Sequence, residues 1–380
     1  MSEAMSLAHQ RYLGVRFFGS LNGLRFLCIA AVMWHHSPAR DVTENSFRLL
    51  ARGFLGVDFF FVLSGFLITT LLLREEARHG QFSLKAFYWR RILRIVPVYF
   101  LVVTVVSAYF IGVDGRWDKL GTLPYYYLFF SNMLISDMPL LTITWSLAVE
   151  EQYYLMWPAL LFLLPVAGRA RPVVLVGLIT FCILSAAGWL SWMGLRPIET
   201  ELARWHLPAT GYAAILIGSL AAVTLNHPKG FAVLYRLLGA RMAPVVAFPA
   251  LLVVLYVTPG VLTGWPNLLV HGTMAICLIT IVIREDHALS GVFSWRPIAR
   301  IGEISYGLYL YHLIGRHVGV EFTAQLGLDA GAEIWVSTLV FALVAVLIAE
   351  VSFQTFERYF LSFKHTKPFS FRRQARSPAK

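Results

Sequence analysis

The residues that could do chemistry in this 380-residue chain are few and lie within or beside long apolar runs. Arg25 and His36 stand eleven residues apart in LNGLRFLCIAAVMWHH, which on a helix is three turns, about 16 Å, along nearly one face. Asp58 and Ser64 share the run GFLGVDFFFVLSGFLIT, and Arg90, Arg91 and Arg94 open WRRILRIVPVYF. Glu150 and Glu151 fall in TWSLAVEEQYYL, and His312 closes IGEISYGLYLYH. Ionisable groups are expensive in lipid, so each is a candidate for function. Ordered by depth they form a path: Arg25, Arg90, Arg91 and Arg94 at one boundary, then His36, Asp58 and Glu150 or Glu151 towards the other, with His312 the deepest. Arginine forks suit a phosphate-bearing donor. A histidine oriented by a carboxylate such as Asp58 or Glu150 suits removal of a proton from a hydroxyl.

Each residue also has a plainer role. Boundary arginines satisfy the positive-inside bias, Asp58 could pair with an arginine, and Ser64-Gly65 could mark a close helix contact. Tyr125 to Tyr127 and Trp157 read as an interfacial belt. Cys28, Cys182 and Cys277 lack the spacing of a metal site or a disulfide framework and read as packing residues, so no metal is expected.

The elements that must hold these residues are transmembrane helices. With 58% hydrophobic and 14% charged residues and a mean hydropathy of +0.65, too little polar surface remains for a water-soluble globule of this size. Apolar runs near 20–37, 54–73, 91–111, 146–166, 172–194, 208–225, 243–260, 266–284, 303–320 and 334–356 predict an all-α, polytopic bundle of about ten spans. The stretch 123–135, short and carrying Pro124 and Asn132, is expected to be re-entrant or interfacial. This threading puts most of the 32 basic residues on the side of both termini, giving an N-in, C-in topology. It also accounts for the +11 net charge without nucleic acid. Arg25 inside the first run argues against a cleavable signal. Residues 1–360 are expected to form one integral-membrane domain. The end, 361–380, containing KHTKPFSFRRQARSPAK, is expected to be a basic cytoplasmic tail near lipid headgroups.

Taken in order, the five quoted segments resemble the signature segments of the acyltransferase-3 family of integral-membrane O-acyltransferases. The first is similar to that family's arginine, ten residues, histidine pattern and selects Arg25 and His36, leaving His35 off register. The resemblance implies acyl transfer, with acetyl-CoA the usual donor, to a hydroxyl of a bacterial surface or exported glycan such as a polysaccharide, lipopolysaccharide or exopolysaccharide. It implies a place in the bacterial inner membrane, and roles for Arg25, His36, the Arg90/Arg91/Arg94 segment and the Glu150/Glu151 segment. Asn22 stands where the family often has Asp, and Glu357-Arg358-Tyr359 where it often has Glu-Arg-Pro. Ser64, Glu151 and His312 are expected to line the substrate path, His36 to be the base, and Asp58 and Glu150 its helpers. A covalent acyl-enzyme is a second mechanism. A transporter or flippase for an anionic or glycan substrate would also string charges across a membrane.

Overall fold

Apolar runs of this length leave the backbone no partner in lipid but itself, and the chain folds as helices. The computed structural model describes residues 3–43, 47–164, 170–260, 262 and 264–365. In chain order the longer helices are α1 (Glu3–Gly14), α2 (Ser20–His35), α3 (Leu55–His79), α4 (Leu84–Ser107), α5 (Thr144–Leu163), α6 (Ala170–Ala186) and α7 (Thr210–Asn226). They continue with α8 (Pro228–Leu238), α9 (Ala243–Val257), α10 (Trp265–Val282), α11 (Arg296–Glu303), α12 (Ser305–Ala324) and α13 (Ala330–Ser352). A helix covers each of the ten apolar stretches. Four helical segments are long and apolar enough to cross a membrane: α3, α4 with its extension to Val113, α10, and α13 with its extension to Ser362. The α8–α9 pair, bent by 80°, makes up to five if it counts as one span. The protein is a multi-pass membrane protein built almost wholly of helix. Among the described residues the only sheet is the small hairpin of β1 (Ile198–Glu199) and β2 (Arg204–Trp205).

Local signals set the helix ends. Gly80 adopts φ 76° and stops α3, a conformation that carries no steric penalty for glycine. Three residues later the Ser83 hydroxyl accepts the Ala86 amide at 3.2 Å and starts α4. This tight turn fixes Arg90, Arg91 and Arg94 beside the end of α3. The Asp329 carboxylate caps α13 from the amides of Gly331 and Ala332. Within 123–135 the chain makes two short helical turns, Leu123–Tyr127 and Ser131–Met133, and no continuous helix.

Close backbone approach fixes the helix crossings. A Cβ on Gly65 would lie 1.8 Å from the Ile215 carbonyl oxygen, and one on Gly218 would lie 1.9 Å from that of Val62, so α3 and α7 meet at backbone distance. The packing role considered for Ser64-Gly65 thus belongs to Gly65. A Cβ on Gly302 would similarly strike Asn22, setting α11 against α2. One buried ion pair ties α6 to α3, where the Arg171 fork grips Glu76 at 2.7 and 2.8 Å. All three cysteines are buried and free.

Two expectations need correction. Trp157 and Tyr126 are core residues, not belt residues. Trp157 is buried and donates to the Thr69 hydroxyl, and buried Tyr126 takes the Met138 amide on its hydroxyl. Each found a polar partner inside the fold, which removes the need for the interface. The expected tail from 361 begins in short helical turns through His365, and residues 366–380 lie outside the described residues.

Candidate active site

Helices α2, α3, α4, α5 and α12, with the chain around 16–18 and 353–364, line an open cavity of about 690 Å³. Its wall holds six of the residues singled out from sequence: Arg25, Arg90, Arg91, Arg94, Ser64 and Glu150. Arg90, exposed like Arg94, pairs with Glu75 at 3.0 Å. The other three have no carboxylate within ion-pair distance among the described residues. Arg25 donates to the Asn22 side chain at 3.1 Å, an i, i+3 contact on α2. Arg91 lies over the Tyr154 ring, 4.1 Å from its centre. Arg25, Arg91 and Arg94 are close enough to repel one another. Glu150 and Glu357 share the wall and attract Arg91 and Arg94 without pairing with them, and three guanidinium groups with no ion-pair partner among the described residues form a site that a polyanion would bind. Farther in, the Ser64 hydroxyl donates to Glu150 at 2.7 Å, joining α3 to α5.

His36 and His312 do not line this cavity; they lie one layer beyond it. His312 follows the cavity residue Tyr309 by three positions on α12, a rise of about 4.5 Å. It is fully buried, and its Nδ1 lies 2.6 Å from the Tyr309 carbonyl oxygen. A carbonyl only accepts, so this contact assigns the proton to Nδ1 and leaves Nε2 with a lone pair. That Nε2 is 3.1 Å from His36 Nδ1, which also lies 3.1 Å from the Val32 carbonyl oxygen. Facing two acceptors, His36 Nδ1 carries the proton, and His36 Nε2 is left unprotonated. In this arrangement His36 has a free basic nitrogen and a fixed ring, held by another histidine.

The carboxylates expected to orient His36 are engaged elsewhere. Asp58 pairs with His271 of α10 at 3.1 Å, so its partner is neither His36 nor an arginine. Glu150 turns into the cavity towards Ser64, and Glu151 is absent from the cavity wall. The reason is helical phase: Asp58 and Ser64 are six residues, or 600°, apart and therefore point to sides of α3 differing by about 120°. His35 packs edge-on against Phe54, away from His312.

Sequence reasoning missed several members of the site. Asn22 and Tyr154 steady Arg25 and Arg91, Tyr309 links the cavity to His312, and His271 claims Asp58. Of these only Asn22 carried a local signal, its spacing from Arg25.

An acyltransferase domain family matches residues 18–353. Among curated proteins, the peptidoglycan O-acetyltransferase OatA of Listeria monocytogenes is 27% identical over 93% of this chain and 59% of its own length. The putative peptidoglycan O-acetyltransferase YrhL of Bacillus subtilis is 27% identical over 90% of this chain and 55% of its own. The O-acetyltransferase OatA of Staphylococcus aureus is 25% identical over 90% and 57%. The chain therefore spans a little over half the length of these relatives. No solved structure matches it.

Proposed function

The chain belongs to the acyltransferase domain family, and from that premise we propose that it is a membrane O-acetyltransferase that moves an acetyl group from cytoplasmic acetyl-CoA to a hydroxyl of a bacterial cell-surface glycan. The observation that supports the donor assignment is the trio Arg25, Arg91 and Arg94, which face one cavity and, among the described residues, have no carboxylate within ion-pair distance although Glu150 and Glu357 share the wall. Coenzyme A brings phosphates for those forks and a narrow arm for the space beyond. A volume of about 690 Å³ lies in the range of pockets that enclose a ligand of that kind. The names of the relatives favour peptidoglycan as the first acceptor to try, ahead of lipopolysaccharide or an exopolysaccharide.

The chemistry proposed is general-base catalysis at His36. Its Nε2 removes the proton of the acceptor hydroxyl as the oxygen attacks the thioester carbon, and the positively charged ring then returns the proton to the leaving sulfur. His312 is a positioning residue that holds the His36 ring and its tautomer, the part first expected of Asp58 or Glu150. Glu150 with Ser64 shapes the donor channel. The ten-span, N-in arrangement in the bacterial inner membrane belongs to the same proposal, because it puts the arginine boundary on the side where acetyl-CoA is made.

The test is release of free coenzyme A from acetyl-CoA by membranes holding the wild-type chain or His36→Ala, with and without bacterial glycans. A positioned base contributes about 10² to 10⁴ in rate, so the variant is expected to lose turnover by that factor while still binding acetyl-CoA. Wild-type turnover in His36→Ala would overturn the base, and failure of the wild type to bind acetyl-CoA would favour a transporter.

A further inference from the structure

Two buried hydroxyls in the cavity wall, Ser146 Oγ of α5 and Tyr309 Oη of α12, lie 2.7 Å apart, and the Tyr309 ring packs against that of His312 at 5.6 Å between centres. The Tyr306 hydroxyl donates to the carbonyl of Ile95, the residue after Arg94, and Tyr309 lies about one turn farther along α12 towards His312. A donor whose phosphates sit on the arginines thus extends its arm towards Ser146 and Tyr309. Both hydroxyls also reach the Ile143 carbonyl oxygen, each at 3.1 Å. With two protons and one shared acceptor, one hydroxyl donates to Ile143 and the other donates to the first. Rotation about the C–O bonds of both side chains turns the two protons towards a new acceptor in the cavity. Tyr309 also touches the base system, since its own carbonyl holds His312 Nδ1.

Building on the acyl-transfer reading, we propose that Ser146 and Tyr309 are further catalytic residues, the hydrogen-bond donors that bind the thioester oxygen as it becomes an oxyanion. In the step they serve, the acceptor hydroxyl gives its proton to His36 Nε2 and its oxygen bonds to the carbonyl carbon. The carbonyl electron pair moves onto the oxygen, which accepts from the two hydroxyls. The C=O bond then re-forms, the C–S bond breaks, and the departing sulfur takes the proton from His36 to give the free thiol and the new ester. Donors fixed where charge develops contribute to the transition state and little to ground-state binding.

The experiment uses the full chain in membranes, with Ser146→Ala and Tyr309→Phe measured separately for coenzyme A release. Each is expected to lower kcat about 100-fold, as for removal of one oxyanion donor, with KM for acetyl-CoA changed by less than about twofold. Tyr309→Phe keeps the ring and the backbone carbonyl on His312, so its pH–rate profile is expected to match wild type. S-ethyl-CoA, which lacks the carbonyl, is expected to bind all three proteins equally. Wild-type kcat in both variants would overturn the proposal, as would a moved pH profile in Tyr309→Phe, which would mean action through the histidines. Should Tyr309→Phe fail to fold, Ser146→Ala decides alone. If instead the wild type binds no acetyl-CoA, the donor reading falls, and that result is distinct from a wild type that turns over beside two unaffected variants.

Discussion

Asp58 and His271 form a polar contact inside the bundle, separate from the arginine cavity, and their chemistry assigns them to stability. His271 is fully buried, and among the described residues its Nδ1 has no hydrogen-bond partner and its Nε2 has the Asp58 carboxylate. Asp58→Ala strips that contact and leaves both ring nitrogens unsatisfied, at a cost of about 1–3 kcal/mol. The thermal midpoint in detergent is expected to fall, while the protein that stays folded turns over far better than His36→Ala. An unchanged midpoint with turnover lost about 100-fold would restore Asp58 to the catalytic group. Asp137, in the loop before α5, offers a pH-dependent counterpart. Burial pushes its carboxyl up to about 6, against the pull of the Tyr126 hydroxyl and Lys119. A carboxyl with a raised folded pKa binds its proton more tightly when folded, so stability falls as pH rises from about 4 through about 6. Thermal melts across that range are expected to show a downward slope that Asp137→Asn flattens; an equal slope in the variant would assign it to other groups.

At the scale of elements, the α3–α7 crossing holds one wall of the cavity in shape. Gly65 follows Ser64 directly, and with Gly218 it lets the two backbones touch. A methyl group at either glycine meets a carbonyl oxygen, with no side chain that could swing aside, so the helices must separate and carry Ser64 away from Glu150. Gly218→Ala is therefore expected to lower both the thermal midpoint and turnover, whereas Gly177→Ala, on a face of α6 with nothing within 4 Å, should change neither. Equal behaviour of the two variants in a melting and turnover assay would refute the crossing as a constraint. The same crossing explains what could be read from sequence. Arg25, Arg90, Arg91, Arg94, Ser64 and Glu150 were legible as a group because lipid makes polar residues rare and helical rise fixes their depth. Their partners were not, because partnership depends on helix rotation. His36 meets His312 across 276 residues and Asp58 meets His271 across 213, and no local pattern encodes either contact.

For the whole molecule, the all-helical, multi-pass character was readable because apolar runs in lipid must satisfy their own backbone. A site shared by five helices is a property of their packing, so neither the cavity nor its separation from the histidine pair was. The layering has a consequence for sidedness. Arg16, Arg74, Arg90 and Lys364 join the deeper arginines in the cavity wall, while His36 lies at the far end of α2, about 16 Å from Arg25. On the proposed N-in orientation the positive charge lies on the cytoplasmic side, so the donor should enter from there and the acceptor should meet His36 from the opposite face. Sealed inside-out vesicles are expected to release coenzyme A from added acetyl-CoA, and right-side-out vesicles to do so only after permeabilisation. The arginine trio gives this prediction a second handle. Arg25→Ala in inside-out vesicles should raise KM for acetyl-CoA more than it lowers kcat, because phosphate contacts far from the reacting carbon act on ground state and transition state alike. Activity in intact right-side-out vesicles would invert the bundle, and an unchanged KM in Arg25→Ala would remove the cavity from the donor's path even with the orientation correct.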